Sequence, residues 1–129
     1  MARTPLSRPT DGELAILRVL WQRGPSTVRE IHEVMAEGRP AAYTTTLKLL
    51  QIMTEKALVT REAWGRQHRY AAAAPQEETQ RQLVEDLVER AFGGSAAQLM
   101  VQALATKRAS GEELAEIRAL LAKKQGGKR

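Results

Sequence analysis

The sequence predicts a mostly α-helical protein with a small β-hairpin, organised as a winged helix-turn-helix domain followed by an α-helical dimerisation region. Aromatic residues make up only 4% of the chain, so Leu, Val, Ile, Met and Ala must supply the core, which favours packed helices over a β-sandwich. Apolar residues recur at helical spacing along most of the 129 residues. Residues 58–71 differ, because β-branched and aromatic types surround a Gly-Arg pair there.

The composition excludes several classes of site and location. The chain contains no cysteine, which excludes disulfides, a thiolate zinc site and a cysteine nucleophile. It has no run of about 18 apolar residues and no apolar leader, so we expect a cytoplasmic protein without membrane insertion.

The charge is basic and unevenly distributed. The formal net charge is +5, which points to a polyanionic partner. Residues 1–73 hold 11 Lys and Arg against 7 acids, a net of +4, whereas residues 74–129 hold 9 against 8, a net of +1. The basic excess therefore lies in the part of the chain that we expect to bind DNA.

Composition shifts divide the chain into four segments. Prolines and the absence of periodicity mark residues 1–9 as an N-terminal arm, and an alanine run ended by Pro75 marks a hinge. We predict a winged helix-turn-helix domain over 10–73, a three-helix dimerisation domain over 74–124 and a basic tail over 125–129.

Two capping boxes, each with a Thr three residues before a Glu, predict the starts of the first two helices: Thr10 with Glu13, and Thr27 with Glu30. The first helix is predicted to stop at Gly24, because glycine is common just past a helix end. The second is predicted to start within residues 25–27 and to be closed by Gly38 and Pro40.

The third predicted helix, residues 41–57, carries the strongest functional signal. Its predicted buried face is spaced i, i+3, i+4, i+7 and consists of Thr46, Leu49, Leu50 and Met53. Three successive threonines are costly in a helix because β-branching lowers helix propensity, so we infer that the first turn is selected for its hydroxyls. Leu47 is predicted on the exposed face, where it can contact a thymine methyl group.

Residues 59–64 and 67–71 are predicted to form a β-hairpin around Gly65 and Arg66. A two-stranded hairpin is marginal alone, so Val59 and Tyr70 are expected to pack on the preceding helices. Helix, helix, helix and wing is the order of a winged helix-turn-helix, which places its third helix in the DNA major groove.

Three apolar stripes follow Pro75, and Ser110 with Glu113 forms a third capping box. Helices this short bury too little apolar area to be secure alone, so a second copy is the expected partner in a two-fold homodimer. The predicted dimerisation residues are Leu83, Leu87, Val88, Leu99, Met100, Leu104, Leu114, Ile117 and Leu121.

The predicted DNA-binding residues combine hydroxyl, amide and cationic side chains: Tyr43, Thr44, Thr45, Lys48 and Gln51 on the third helix, Thr27 and Arg29 on the second, and Arg66 and Arg69 on the wing. Hydroxyls and N–H groups at a helix N-terminus suit phosphate, and Lys48 suits guanine or phosphate. Alternative interpretations are a packing role for Tyr43, a solvated Gln51 and a purely capping Thr27.

No catalytic, metal or cofactor pattern is present. No glycine-rich phosphate loop follows a strand, and the hydroxyl residues are accounted for by caps and the third helix. His32 and His68 lie in different elements without thiols, so we interpret them as surface or wing residues rather than metal ligands. The sequence therefore predicts a binding protein without a cofactor rather than an enzyme.

The chain resembles the BlaI/MecI penicillinase-repressor family from about Leu6 to Leu121. The motifs that carry the resemblance are Gly24-Pro25-Ser26-Thr27-Val28-Arg29-Glu30-Ile31, Ala42-Tyr43-Thr44-Thr45-Thr46, Gly65-Arg66-Gln67-His68-Arg69-Tyr70 and Phe92-Gly93-Gly94-Ser95. The resemblance implies a bacterial homodimeric repressor that binds a palindromic operator and whose release depends on a membrane sensor triggered by β-lactams.

The chain also departs from the pattern that the resemblance implies. The family often has Gly where this chain has Ala57 and Arg where it has Ile52. The Asn-Phe pair at which well-known members are cleaved is replaced by the stretch 101–104, Val-Gln-Ala-Leu. Copper-responsive relatives carry a cysteine-rich motif, which this chain lacks.

We therefore expect a sequence-specific repressor that acts on a double-stranded operator, with β-lactam resistance-type genes and an upstream membrane sensor-protease system as the implied context. Two other classes stay open at this point. One is a winged-helix module that binds a protein through its basic face, and the other is a regulator gated by a small ligand between its domains.

Overall fold

The computed structural model describes residues 8–38 and 42–126, and the predicted arm, the basic tail and Pro40 lie partly or wholly outside these ranges. The elements are α1 (Asp11–Arg23), β1 (Ser26–Thr27), α2 (Val28–Gly38), α3 (Tyr43–Glu55), β2 (Val59–Trp64), β3 (Gln67–Ala72), α4 (Gln76–Ala91), α5 (Ala96–Thr106) and α6 (Gly111–Gly126). A mostly helical chain with one small antiparallel sheet confirms the predicted fold class.

The predicted capping boxes are present in the structure. The Glu13 N–H donates to Thr10 Oγ1 at 3.3 Å, and the Thr10 N–H donates to Glu13 Oε1 at 2.9 Å. Thr27 and Glu30 exchange the corresponding bonds at 3.2 and 2.9 Å. These reciprocal bonds satisfy N–H groups that a helix start otherwise leaves without partners.

The segment before α2 departs from the sequence prediction. Residues 26 and 27 were expected to open the second helix, but they form a two-residue strand that pairs antiparallel with β3. Ser26 lies opposite Tyr70 and Thr27 opposite Arg69, which gives a three-stranded sheet of order β1-β3-β2. The pairing joins residues more than 40 positions apart, so no local pattern in the sequence reveals it.

The predicted hairpin is confirmed with the register Val59 opposite Ala72. Gly65 has φ +66° at the first position of the two-residue turn, where a type II′ turn requires a positive φ. Val59 and Tyr70 are buried, as expected for a wing that packs on the helices. Arg66, the other turn residue, is exposed at the tip.

One core holds α1, α2, α3 and the sheet together. Its fully buried apolar side chains include Ile16, Ile31, Leu50 and Met53. Thr46 is also buried, so the predicted inner face of α3 is confirmed, although the helix spans 43–55 rather than 41–57. Burial of this face fixes which side of α3 looks outward.

The end of α3 contains the one non-glycine residue with positive φ in the described part of the chain, Ala57 at +64°. The Leu58 N–H donates to Met53 O at 2.9 Å, and the Ala57 N–H donates to Thr54 O at 3.1 Å. These two bonds form a Schellman motif, in which the left-handed residue is usually glycine. The chain therefore leaves α3 and enters β2 through a strained alanine.

The chain divides into two compact units, residues 1–83 and 84–129. The boundary lies within α4 rather than at the predicted position 73/74. One physical reason is that Trp21 Nε1 of α1 donates to Ala74 O at 3.1 Å, which ties the segment after β3 to the first unit. The second unit contains the rest of α4 with α5 and α6, and none of these helices contains a buried residue.

Candidate nucleic-acid interface

The outer face of α3 presents four of the predicted DNA-binding residues together. Thr44, Thr45, Lys48 and Gln51 are all exposed, whereas Thr46, Leu50 and Met53 face the core. The spacing of 44, 48 and 51 follows one side of a helix, so these side chains form a continuous polar strip. The major groove of DNA is wide enough to admit an α-helix, so a helix with such a strip can present it to the base edges.

Two apolar residues on α3 differ from the sequence interpretation. Leu47 was predicted to be exposed, but it is half-buried, because it lies at the edge of the packed face. Ile52 is 38% exposed and was not among the predicted contacts. Its position, four residues after Lys48 and seven after Thr45, places it beside the polar strip, and this spacing is the sequence signal that could have identified it.

The first turn of α3 is open to solvent and lacks a local cap. Ala42 at the N-cap makes no side-chain hydrogen bond, and the first turn contains no acidic residue. The N–H groups of a helix start carry partial positive charge, so this turn is suited to an anion such as a phosphate.

Tyr43, in that turn, combines the two interpretations that the sequence left open. Its ring packs edge-on against His32 of α2, with ring centroids 5.5 Å apart and an interplanar angle of 76°. Because 43% of the residue stays exposed, it can also meet a ligand. His32 also contacts Thr46 and is half-buried, so the interpretation of His32 as a surface residue was wrong.

Of the two DNA-binding residues predicted at the start of α2, one is exposed and the other is buried. Arg29 is exposed. Thr27 is 7% exposed and its hydroxyl accepts from the Glu30 N–H, so its side chain acts as a cap and is not accessible to phosphate. The structure thus places Thr27 in the sheet and in the helix cap, since its strand position faces the interior.

The two predicted wing arginines also differ in their exposure and contacts. Arg66 is exposed at the tip. Arg69 donates from Nη2 to Glu62 Oε2 at 2.7 Å, and its guanidinium carbon lies 3.6 Å from the ring centroid of Trp64. Arg69 was predicted to contact DNA directly, but here it is held by two neighbours on β2, because residues 62 and 69 are opposite each other in the register.

The ion pairs decide which cations of the first unit are available. Arg23, Lys56 and Arg69 have acidic partners. Within residues 8–38 and 42–83, the exposed Lys48, Arg29 and Arg66 form no ion pair. The α3 strip and the wing tip therefore present unneutralised positive charge.

Glu13 is a buried carboxylate that stabilises the packing of α1 on α3. Burial raises the pKa of its carboxyl, but Lys56 Nζ, at 2.8 and 3.0 Å from its two oxygens, and the Thr10 N–H hold the pKa below the ordinary value of 4.5. Lys56 follows the last residue of α3, so this pair anchors the C-terminal end of the exposed helix.

The described residues offer neither a metal centre nor a membrane-spanning helix. The described residues contain no group of three or more His, Asp or Glu side chains that could hold a metal ion. Among the described helices, none has the length and apolar character needed to cross a bilayer.

Three packed helices, an uncapped outer helix with a polar strip and a β-hairpin with a basic tip define the winged helix-turn-helix class of DNA-binding proteins. The penicillinase repressor family model matches residues 9–123. The chain therefore belongs to the penicillinase repressor family, as its sequence predicted. It is a transcriptional repressor with a DNA-binding domain and not an enzyme.

Individual relatives agree with this assignment. The transcriptional regulator BlaI of Mycobacterium tuberculosis is 32% identical over 123 residues, which cover 95% of this chain and 88% of the relative. The solution structure of the DNA-binding domain of the repressor BlaI matches with a TM-score of 0.51 at 18% identity, over 60% of this chain and 93% of that domain. Staphylococcus aureus MarR, solved with salicylate and kanamycin, has a TM-score of 0.51 at 20% identity, over 91% of this chain and 71% of MarR. These two structural matches show the shared fold.

The predicted dimerisation residues lie in the helices that lack a core. Leu87, Leu104 and Leu121 are close to half exposed, and the others are partly exposed. Val101, at 62%, and Leu120, at 54%, are more exposed still and were not among the predicted residues. Val101 also lines an open cavity of about 220 Å³ with Phe92, Ala97 and Gln98, in which a partner side chain can be accommodated.

Proposed function

We propose that this repressor acts in the cytoplasm as a homodimer that binds a palindromic operator with two copies of α3. The observation that carries the proposal is the outer strip of α3, where Thr44, Thr45 and Lys48 are exposed directly opposite the buried Thr46 and Leu50. A helix held this firmly by its inner face can present its outer face to DNA without rearrangement.

Each exposed group on this face has a distinct role in the proposal. Lys48 donates to guanine O6 and N7 or to a phosphate, and a good contact of the first kind discriminates by about 1 to 3 kcal/mol. The hydroxyls of Thr44 and Thr45, with the first-turn N–H groups of α3, bind phosphate. Ile52 offers an apolar contact to a thymine methyl group, and Gln51 extends the strip.

The wing supplies contacts outside the major groove. Arg66 at the exposed tip binds the neighbouring phosphates or minor groove, and Arg29 adds a contact from α2. Arg69 supports the wing through Glu62 and Trp64 rather than by meeting DNA. Most of the affinity is electrostatic, so we expect it to fall steeply with salt.

The second unit provides the dimer. Its helices contain no buried residue, although they carry Leu87, Val101, Leu104 and Leu121. Exposed apolar surface of this kind marks an interaction site, and a second copy gives the two-fold symmetry that a palindrome matches. Half-sites are then separated by about 10 bp or a multiple of that distance.

The regulated genes and the releasing signal belong to the same proposal. A relative at 32% identity is named BlaI, which supports control of β-lactam resistance-type genes. A membrane sensor-protease system upstream is the corresponding signal, and residues 101–104 lie on the exposed α5. Incubation of the purified repressor with the activated protease of such a system tests this part, since resistance to cleavage contradicts it.

The binding experiment compares Lys48→Ala with Lys124→Ala. Both changes remove one exposed lysine, but Lys124 lies on α6. In gel shifts on the protein's own upstream duplex and on a scrambled duplex, we expect wild type and Lys124→Ala to prefer the native duplex. Lys48→Ala should lose about tenfold or more of that affinity while remaining folded. Equal binding of wild type to both duplexes contradicts the proposal.

A further inference from the structure

His32 is the side chain of α2 that touches the first turn of α3 at two points. Its Nδ1 lies 3.2 Å from Thr46 Oγ1, and its ring packs edge-on against Tyr43. Thr46 is 2% exposed and Tyr43 is 43% exposed, so His32 joins a buried anchor to a residue at the protein surface.

Side-chain caps do not fix this turn in the way that they fix the starts of α1, α2 and α6. Both Thr10 before α1 and Ser110 before α6 take part in a reciprocal box with a glutamate. At α3 the N-cap residue is Ala42, which has no side chain able to accept a hydrogen bond. The orientation of the first turn therefore depends on tertiary contacts.

We propose that His32 is a positioning residue for operator recognition, which holds Tyr43 and the first turn of α3 in the geometry that meets the DNA. This inference rests on the proposed function. The hydrogen bond to Thr46 fixes the imidazole, and the fixed imidazole limits the rotamers of Tyr43. Thr44 and Thr45 lie between the two anchored positions, so their hydroxyls are placed by the same contacts.

The expected effect is moderate and specific. A surface side chain that must be immobilised on binding lowers the binding affinity by about two- to tenfold, compared with a side chain that is already fixed in the free protein. We expect His32→Ala to lower affinity for the operator by about this factor. Affinity for a scrambled duplex should not change, because it depends on phosphate neutralisation by lysine and arginine.

Conservative variants separate the two contacts of His32. His32→Asn keeps a polar atom near the position of Nδ1 and removes the ring edge. His32→Phe keeps a ring against Tyr43 and removes the hydrogen bond to Thr46. We expect each variant to recover part of the operator affinity lost in His32→Ala, whereas Lys124→Ala, on α6, serves as the control away from the DNA-binding face.

A double-mutant cycle with Tyr43→Ala provides the decisive measurement. If His32 acts in part through Tyr43, the loss of operator affinity caused by His32→Ala is smaller in the Tyr43→Ala background than in wild type. A merely structural histidine would instead lower the melting temperature and weaken binding to both duplexes equally, and that result would overturn the inference.

Lys48→Ala distinguishes failure of this inference from failure of the proposed function. Suppose that wild type prefers the operator and that Lys48→Ala weakens this preference. If His32→Ala then binds the operator as tightly as wild type does, His32 has no positioning role and the proposed function stands. If wild type does not prefer the operator, both proposals are overturned.

Discussion

The two units of the chain use helices of similar length in opposite ways. In the first, apolar stripes meet one another, and Ile16, Ile31 and Leu50 are completely buried. In the second, equally regular stripes leave Val101 and Leu120 more than half exposed. Helical periodicity therefore predicts which face is apolar but not what covers it. The first unit supplies its own cover, and we propose that a second copy of the chain covers the second.

Among the variants that test this contrast, the largest effect is expected when a charged residue is introduced into the second unit. Leu104→Glu places a carboxylate in the apolar stripe of α5, where 44% of the leucine is exposed. We expect a monomer by light scattering and a loss of about 100-fold or more in operator affinity, because two linked half-sites gain about that factor or more over one. The fold of the first unit should be unchanged.

Ala105→Glu is the matched control, because it adds the same charge one position further along α5, outside the stripe. It should remain dimeric and retain operator affinity. If Leu104→Glu also remains dimeric, the interface lies elsewhere and the contrast between the units has another cause.

The next effect compares truncations in the two units. Ile16→Ala removes a fully buried side chain and should lower the free energy of unfolding by about 3 kcal/mol. Leu120→Ala removes an exposed one, so its effect should appear only through association and should shrink on dilution, as wild type and variant both become monomeric. Urea unfolding at two protein concentrations measures both. A concentration-independent loss of similar size in Leu120→Ala would indicate a core within a single copy.

The sequence predicted well those features that depend on near neighbours. The boxes of Thr10, Thr27 and Ser110 join residues three apart, and the hairpin joins residues on either side of Gly65, so both leave local patterns. Features that join distant residues were missed. The strand at 26–27 exists only because β3 lies beside it, and His32 is placed by the packing of α3.

Ion pairing explains the remaining difference between the predicted and the observed candidate site. Sequence alone treats every surface arginine alike, but the structure pairs Arg69 with Glu62 and Trp64 and leaves Arg66 at the tip. The exposed strip of α3 was predictable because its inner face has a clear period. Which wing arginine is available was not, since it depends on the cross-strand register.

A third effect compares ion pairs in the two units. Lys56→Met leaves Glu13 buried without its cation and should lower the free energy of unfolding by about 2 to 3 kcal/mol. Arg90→Met removes one partner of Asp86 in α4, in a pair whose side chains are 65% and 36% exposed, and should cost less than about 0.5 kcal/mol. Similar losses from both changes would contradict the contrast.

The pH dependence gives an independent measurement of the Glu13 pair. Because the pKa of Glu13 is lowered in the folded state, the unfolded chain binds more protons below the ordinary value of 4.5. The contribution of this pair is therefore present above that value and is lost as the pH falls through the folded-state pKa. In Lys56→Met the burial that raises the pKa is offset only by the hydrogen bonds with Thr10, so the acid-side loss should shrink or reverse.

The smallest effect compares the ends of α3 and α4, each of which is followed by a residue in the left-handed region. Ala57 has φ +64° in the first unit, and Gly93 has φ +55° in the second. A left-handed L-residue costs about 1 to 2 kcal/mol, so Ala57→Gly should raise the free energy of unfolding by about 1 kcal/mol after the entropy of glycine is subtracted. Gly93→Ala should lower stability by a similar amount, since no side chain crowds that site and only the backbone is strained. Thermal unfolding of the two variants measures both signs, and a loss of stability in Ala57→Gly would mean that its methyl group contributes more to packing than its backbone costs.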